Sequence, residues 1–258
     1  MSRTEVRSAA RVLELLEFLA RVGGPVSLKD AVEALRLPKS SAHGLLQTLV
    51  TRGYAERDSA ERYQLSPGLS AAGWIGGPDA RLATLARPVM EKLRDDLRET
   101  VFLGARGPGD DVKLLAKLLS PEIVRYDSDT TKLRPAYCTA MGRVLLAFAE
   151  PGVVDAYLAR TTLKPLTPHT VTNPEKLRAT LVRIRSQGFD IVEEELTIGG
   201  SGAAAPVFGA DGNCRAALNV ATVAQRFPAA RDRIIAGVRA AAEEISRRLG
   251  FLSSPVAA

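Results

Sequence analysis

Residues 39–52 carry hydrogen-bonding side chains on one face of a predicted helix and apolar side chains on the other. No acid occurs between Ala34 and Ala55, so this stretch has no carboxylate that would repel a phosphate. Donors for phosphates and base edges, presented on a helix, are what reading DNA in the major groove requires. We therefore expect DNA contacts from Lys39, Ser40, Ser41, His43, Gly44, Gln47, Thr48 and Arg52, and from Arg62 in the segment that follows.

The elements around this face predict a winged helix-turn-helix. Ser27 and Asp30 can form a capping box that begins a helix, and Leu37-Pro38 ends it, because the residue before proline avoids helical geometry. Gly53 stands where a left-handed residue closes the second helix. Residues 54–65 alternate around a polar turn and predict a β-hairpin, the wing. A preceding helix over residues 9–21 completes a small core.

A helix pair with a solvated polar face is the alternative interpretation, since amphipathic pairs occur in many helical proteins. Bulk charge does not decide between the two. The chain has a formal net charge of +6, but residues 1–70 contain ten Lys/Arg and eight Asp/Glu, so their balance is only +2. The DNA prediction therefore depends on the acid-free helix, and a sensor or partner-docking module without DNA binding stays open.

Length and composition predict two domains in the cytoplasm. A chain of 258 residues with 46% apolar residues can form more than one packed core. It contains no apolar run of about 18 residues and no signal-peptide pattern, which argues against a membrane segment or export. Two cysteines, Cys138 and Cys214, suit a reducing compartment. We expect a DNA-binding domain over 1–70, a linker over 71–81 with a short helix near Leu69 and Trp74, and a second domain over 82–254.

The second domain has mixed periodicity, and we expect an α+β fold in which helices flank an antiparallel sheet. Such a layered domain is typical of small-molecule sensors. Predicted helices cover residues 82–97, 141–149, 173–188 and 229–249. Predicted strands cover 100–105, 112–118, a stretch around Ile123-Val124, 189–194, 204–208 and 215–220.

The sequence lacks the motifs that commonly carry catalytic residues. It has only His43 and His169, with no GxSxG elbow, CxxC pair, P-loop or GxGxxG. The acidic run 193–195 would place Glu193 and Glu195 on one side of a strand and Glu194 on the other. Such a run more often forms a solvated edge or pairs with the Arg-rich helix before it. We therefore expect no enzyme, no cofactor and no metal site.

Taken together, these segments resemble the IclR family of bacterial transcription regulators, from about Arg11 to Gly250. The resemblance is carried by RVLELLEFLA, SLKDAVEALRLPKSSAHGLLQTLVTRGYAERD, RPVMEKLRDDLRETVFLG, PAYCTAMGRVLLAF, IRSQGFDIVEEE and AAAPVFGADGNCRAALNVAT. It implies a GAF/PAS-like effector domain, a homodimer or homotetramer, and double-stranded operator DNA, expected to be palindromic. Gly44 is a departure, because the family often places arginine there.

The resemblance also implies an effector site. The backbone N–H groups of Ala140 and Met141 would hold a carboxylate at a helix start. Tyr137 and Cys138 would form an apolar wall, although Tyr137 could instead pack against the sheet and Cys138 could be an inert core residue. The remaining expected effector contacts are Val192, Gly202, Asn219 and Ala221.

Within the family, the sequence looks like the branch that regulates aromatic-acid degradation through the β-ketoadipate pathway. This resemblance is carried by PAYCTAMGRVLLA, by Val192 before a run of three acids, and by AALNV at residues 216–220. Val192 stands where other members carry aspartate, and Gly202 stands where they carry cysteine or serine. Fewer hydrogen bonds and more volume at these positions favour a ligand larger and flatter than glyoxylate or pyruvate.

Overall fold

The computed structural model describes residues 6–22, 24–66 and 77–251. The chain divides into two compact units, Met1–Leu85 and Ala86–Ala258. Most of the predicted linker, including Leu69 and Trp74, lies outside the described residues, so its helix and its boundaries stay predictions.

The N-terminal unit is a helix-turn-helix followed by a hairpin, as the sequence predicts. Its elements are α1 (Arg7–Val22), α2 (Leu28–Leu35), α3 (Lys39–Thr51), β1 (Ala55–Arg57) and β2 (Tyr63–Leu65). The two strands pair antiparallel, with Glu56 opposite Gln64. Their core is a cluster in which Leu15, Leu46 and Tyr63 are almost fully buried.

Local capping sets the ends of α2 and α3. The Ser27 hydroxyl accepts from the Asp30 N–H at 3.2 Å, and the Ser27 N–H donates to the Asp30 carboxylate at 2.8 Å, which confirms the capping box. Helix α2 ends at Leu35, two residues earlier than expected, because Arg36 adopts a left-handed φ of 50°. Gly53 has the expected left-handed φ of 75°. It belongs to a Schellman cap in which the Tyr54 N–H donates to the Leu49 carbonyl at 2.9 Å.

The C-terminal unit combines helices with an antiparallel sheet. Its elements are α4 (Gly77–Leu97), which leads into the sheet, β3 (Thr100–Arg106), β4 (Val112–Leu118), α5 (Ala140–Ala147), α6 (Val153–Arg160), α7 (Pro174–Gln187), β5 (Asp190–Glu193), β6 (Gly200–Phe208), β7 (Cys214–Val223) and α8 (Phe227–Arg248). The five strands lie in the order β4-β3-β7-β6-β5. Helix α5 packs on β6 and β7 with α7 beyond it, and the long α8 covers the same strands from the other face.

Two strand predictions were wrong. Ile123 and Val124 form no strand; they lie in an exposed loop, where Ile123 is 97% accessible. The Ser120 hydroxyl accepts from the Glu122 N–H at 3.1 Å and closes a turn in front of them. Strand β5 ends at Glu193 because Glu194 has a left-handed φ of 56°, so the three glutamates do not alternate along one strand. Helix α6 was not anticipated.

Candidate DNA-contact helix and effector cavity

Helix α3 turns its apolar face inward and its polar face to solvent. Ala42, Leu46 and Leu49 are buried, whereas Leu45 and Val50 are only partly buried. Of the predicted DNA-contact residues on this helix and at its end, Lys39, Ser40, Gly44, Thr48 and Arg52 are exposed, and Ser41, His43 and Gln47 are half-buried. The arrangement leaves a polar surface of short side chains that a DNA groove can approach.

The polar groups on and next to α3 differ in whether they already have a hydrogen-bond or ion-pair partner. The Thr48 hydroxyl donates to the Gly44 carbonyl at 2.8 Å, so only its lone pairs remain for a partner. Nδ1 of His43 is buried without a hydrogen bond in the described part of the chain, which leaves Nε2 as the ring nitrogen able to reach DNA. Arg52 is exposed, and no acid lies within 4.0 Å of its guanidinium among the described residues. Arg52 at the end of α3, like the exposed Lys39 at its start, is therefore a cation open to a phosphate.

The wing ties its basic side chains to its own acids. Nε of Arg62 donates to the Asp58 carboxylate at 2.9 Å, and Arg57 pairs with Glu61 at 2.6 Å. Hydrogen bonds from Arg62, led by its backbone N–H, lower the pKa of Asp58. Arg62 would have to exchange this partner for a phosphate, so the structure favours it less than Arg52 as a DNA contact.

A cavity opens on the α5 face of the sheet. Its free volume, with the open mouth included, is about 510 Å³. Seven of the eight predicted effector residues line it, namely Cys138, Ala140, Met141, Val192, Gly202, Asn219 and Ala221. Sequence reasoning missed Phe102, Leu114, Tyr126, Ser128, Arg134, Thr139, Leu196, Thr197, Gly200 and Ser201, which complete the lining.

The start of α5 forms one end of this cavity. Thr139 caps the helix, and its hydroxyl accepts from the Gly142 N–H at 3.1 Å. Ala140 and Met141 belong to the first turn, where a helix has no carbonyl acceptor of its own for the N–H groups. Gly142 is required at this point, because an added Cβ would lie 2.3 Å from the Cα of Ala136 in the preceding loop.

Asn219 lies in the middle of the cavity wall, opposite Phe102 on β3 and Ala204 on β6. Only 7% of the residue is exposed, and its amide has no hydrogen-bond partner among the described residues. Its amide atoms keep accessible surface in the cavity, so Asn219 is available to a ligand. The family resemblance placed Asn219 in the site, and strand pairing with Asn219 is the signal that could have identified Phe102. The aromatic ring of Phe102 meets that of Tyr126 edge to face, with centroids 6.3 Å apart.

The expected role of Tyr137 in the cavity was wrong. Its hydroxyl donates to the Lys164 carbonyl at 2.8 Å, so the buried ring is directed to a different loop. The alternative interpretation, that Tyr137 is a packing residue, fits this contact. Cys138 does line the cavity, but burial raises the pKa of its thiol to about 12, which keeps it protonated and unreactive.

Gly202 does not enlarge the cavity in the way we expected. A Cβ at this position would lie 2.4 Å from the Val220 carbonyl oxygen. The space that a serine or cysteine side chain would need is therefore taken by the backbone of β7. Val192, in contrast, is a buried apolar residue of the lining, as expected.

Behind the cavity, a buried cluster of charged side chains connects α5 to β5 and to the segment that follows β5. Arg143 on α5 forms a bidentate pair with Glu195, one arm of which is 2.7 Å long, and its Nε donates to the Tyr137 carbonyl at 2.7 Å. Asp190 lies 3.7 Å from the same guanidinium. Within the acidic run, Glu195 is buried against Arg143 and is neither solvated nor paired with α7. Glu193, in contrast, is exposed on the edge strand β5, as a solvated edge would be.

Comparison with known proteins agrees with this two-part organisation. Residues 8–59 match the IclR helix-turn-helix domain, and residues 79–247 match the family described as bacterial transcriptional regulator IclR C-terminal. The chain belongs to the IclR family. It is therefore an IclR-type DNA-binding transcriptional regulator with an effector domain, and the alternative of a sensor that does not bind DNA is set aside.

Three IclR relatives give the scale of the similarity. The Pca regulon regulatory protein of Pseudomonas putida is 32% identical over 216 residues, which cover 83% of this chain and 74% of that protein. An IclR homologue from Microbacterium hydrocarbonoxydans, solved with 4-hydroxybenzoate, is 27% identical, covers 94% of this chain and 98% of its own, and has a TM-score of 0.66. Thermotoga maritima IclR is 27% identical, with 96% and 100% covered and a TM-score of 0.63.

The described residues of this IclR regulator contain neither a membrane-spanning helix nor a metal-binding cluster. Within the described ranges, every helix is too short or too polar to cross a membrane. In the same residues, no three His, Cys, Asp or Glu side chains lie close enough together to hold a metal ion. Both matching families describe regulators of transcription, and neither indicates a catalytic activity.

Proposed function

We propose that this cytoplasmic regulator senses a small organic acid, either an aromatic acid or an intermediate of aromatic breakdown. The observation that carries the proposal is the first turn of α5, which opens into a mostly apolar cavity. The N–H groups of Ala140 and Met141 would receive the carboxylate. The helix dipole alone contributes about 0.3–1 kcal/mol to such a contact.

The walls of the cavity support an aromatic body for the ligand. Phe102, Leu114 and Tyr126 offer apolar and aromatic surface, and Asn219 offers one amide for a ring substituent. Two relatives point the same way by their names: one regulates a Pca regulon, and another was solved with 4-hydroxybenzoate.

On the DNA side, we propose that α3 enters a major groove and that the wing contacts the backbone or the minor groove. The contacts would come from the exposed and half-buried polar residues of α3, together with Arg52. One winged helix reads few base pairs, so a dimer on a palindromic operator, or a pair of dimers, would supply the specificity. The acid would alter transcription by preferring one arrangement of the dimer over another.

A thermal-shift screen tests the effector assignment. The purified protein is heated with protocatechuate, 4-hydroxybenzoate, β-ketoadipate, phenylacetate, pyruvate or glyoxylate. A ligand at about 100 times its dissociation constant stabilises the fold by about 2.7 kcal/mol, which gives a visible shift. We expect shifts with the aromatic or adipate-type acids. A response to pyruvate or glyoxylate alone would contradict the assignment.

A further inference from the structure

Arg134 is the charged side chain in the cavity lining; the other residues around the cavity in the described ranges are apolar or neutral. Its position is fixed by β4, because the Arg134 N–H donates to the Val112 carbonyl at 3.0 Å and the Arg134 carbonyl accepts from the Val112 N–H at 2.8 Å. The guanidinium is therefore supplied to the cavity by a loop that is paired to the sheet.

The Arg134 guanidinium has unused donors. Of its five N–H groups, the described residues account for one, which Nη2 donates to the Asp129 carbonyl oxygen at 2.6 Å. No carboxylate in the described ranges lies within 4.0 Å of it, and the Asp129 carboxylate is instead 3.7 Å from Lys132. A half-buried cation beside apolar walls gains more from an anion than an exposed one does, because the local dielectric is lower.

The cavity thus has two separate groups that attract an anion. One is the first turn of α5, at Ala140 and Met141, and the other is Arg134. Asn219, unpartnered and nine-tenths buried, lies in the wall of the same cavity. A ligand with a single carboxylate can bind the helix start or the guanidinium, but not both as separate sites. The Asp129 carboxylate, beyond 4.0 Å, offsets the Arg134 charge only in part.

We propose that Arg134 is a second acid-binding residue and that the effector is an organic diacid, with two acidic groups separated by an apolar body. One carboxylate binds the start of α5 and the other binds the Arg134 guanidinium. This inference rests on the proposed function, because it takes the same cavity as the effector site and specifies the chemical class of its ligand.

Calorimetric titration with matched acids tests the proposal. The probes are adipate against hexanoate and terephthalate against benzoate, so each pair differs by one carboxylate. We expect the diacid of at least one pair to bind about tenfold or more tightly than its monoacid, equivalent to about 1.4 kcal/mol. In Arg134→Gln this preference should disappear, while the affinity for the monoacid changes less than threefold.

Arg125→Gln is the matched control. Arg125 is an exposed arginine of the same connecting segment, its guanidinium bonds the Glu122 carbonyl at 3.4 Å, and it does not line the cavity. The Arg125→Gln substitution removes the same charge as Arg134→Gln, and this variant should keep the diacid preference. Equal binding of diacids and monoacids to the wild type, or a preference that survives Arg134→Gln, would overturn the role of Arg134 alone. Failure of all four acids to bind would overturn the proposed effector site as well.

Discussion

Asp190 is the carboxylate without a full counter-charge in the cluster behind the cavity. Glu195 takes both arms of the Arg143 guanidinium, and Arg183 acts on Asp190 only from beyond 4.0 Å. Oδ2 of Asp190 is buried without a hydrogen bond within the described residues. Burial raises the pKa of Asp190 from 3.8 to about 6, and the nearby Arg143 offsets only part of this effect. We therefore expect ionised Asp190 to destabilise the folded protein.

The size of this effect follows from the pKa difference. A shift of about two units, at 1.36 kcal/mol per unit, means that ionised Asp190 lowers the free energy of unfolding by about 3 kcal/mol. The stability that the bound proton provides is fully present below about pH 4 and is lost as the pH rises through about 6. Asp190→Asn, which keeps the size and removes the charge, should gain about 1–3 kcal/mol at pH 7.5 and roughly a third of that at pH 4.5.

Urea unfolding, followed by circular dichroism at a fixed protein concentration, measures the stability gain of Asp190→Asn at each of the two pH values. Asp127→Asn is the control with the opposite sign, because a hydrogen bond from Lys117 lowers the pKa of Asp127. That variant should lose stability at neutral pH rather than gain it. The reasoning is refuted if Asp190→Asn is less stable than the wild type at pH 7.5, or if its gain is the same at both pH values.

Three smaller tests address the DNA helix and the cavity. Arg52→Ala should weaken binding to every DNA sequence and reduce the slope of log affinity against log salt by about 0.9; an unchanged slope would exclude a phosphate contact. Ala140→Pro removes one N–H at a position that tolerates proline, and acid binding measured by calorimetry should weaken about tenfold; unchanged binding would place the carboxylate elsewhere. Gly44→Ala should stabilise the fold by about 1 kcal/mol, since nothing lies within 4 Å of the new Cβ. Gly202→Ala should destabilise the fold by about 1–3 kcal/mol, because its Cβ would meet the Val220 carbonyl oxygen. A thermal melt in which Gly202→Ala is more stable than Gly44→Ala would contradict the assigned surroundings of both glycines.

The features that the sequence predicted well are local. The capping box at Ser27 and the left-handed cap at Gly53 each involve residues within a few positions of each other. Their geometry is decided by the backbone nearby, so a short motif is enough to identify them.

The features that were missed join distant parts of the chain. Glu195 is 52 residues from its partner Arg143, and the Tyr137 hydroxyl bonds a carbonyl 27 residues away. Arg134 lines the cavity because its backbone pairs with Val112, and no hydrophobic pattern in the sequence predicts that pairing. Ile123 and Val124 have the β-branched side chains typical of strands, but a strand also needs a neighbour, and the turn at Ser120 leaves them without one.

The close approach of Gly142 to Ala136 also constrains how this regulator can evolve. The loop lies so near the helix that a Cβ at position 142 would meet backbone atoms, which cannot rotate away as a side chain can. The N–H groups of Ala140 and Met141 are therefore aimed before a ligand arrives, and binding loses little free energy to ordering this wall. Substitutions that change ligand preference are left to the other walls, so position 142 should remain glycine whichever acid a descendant senses.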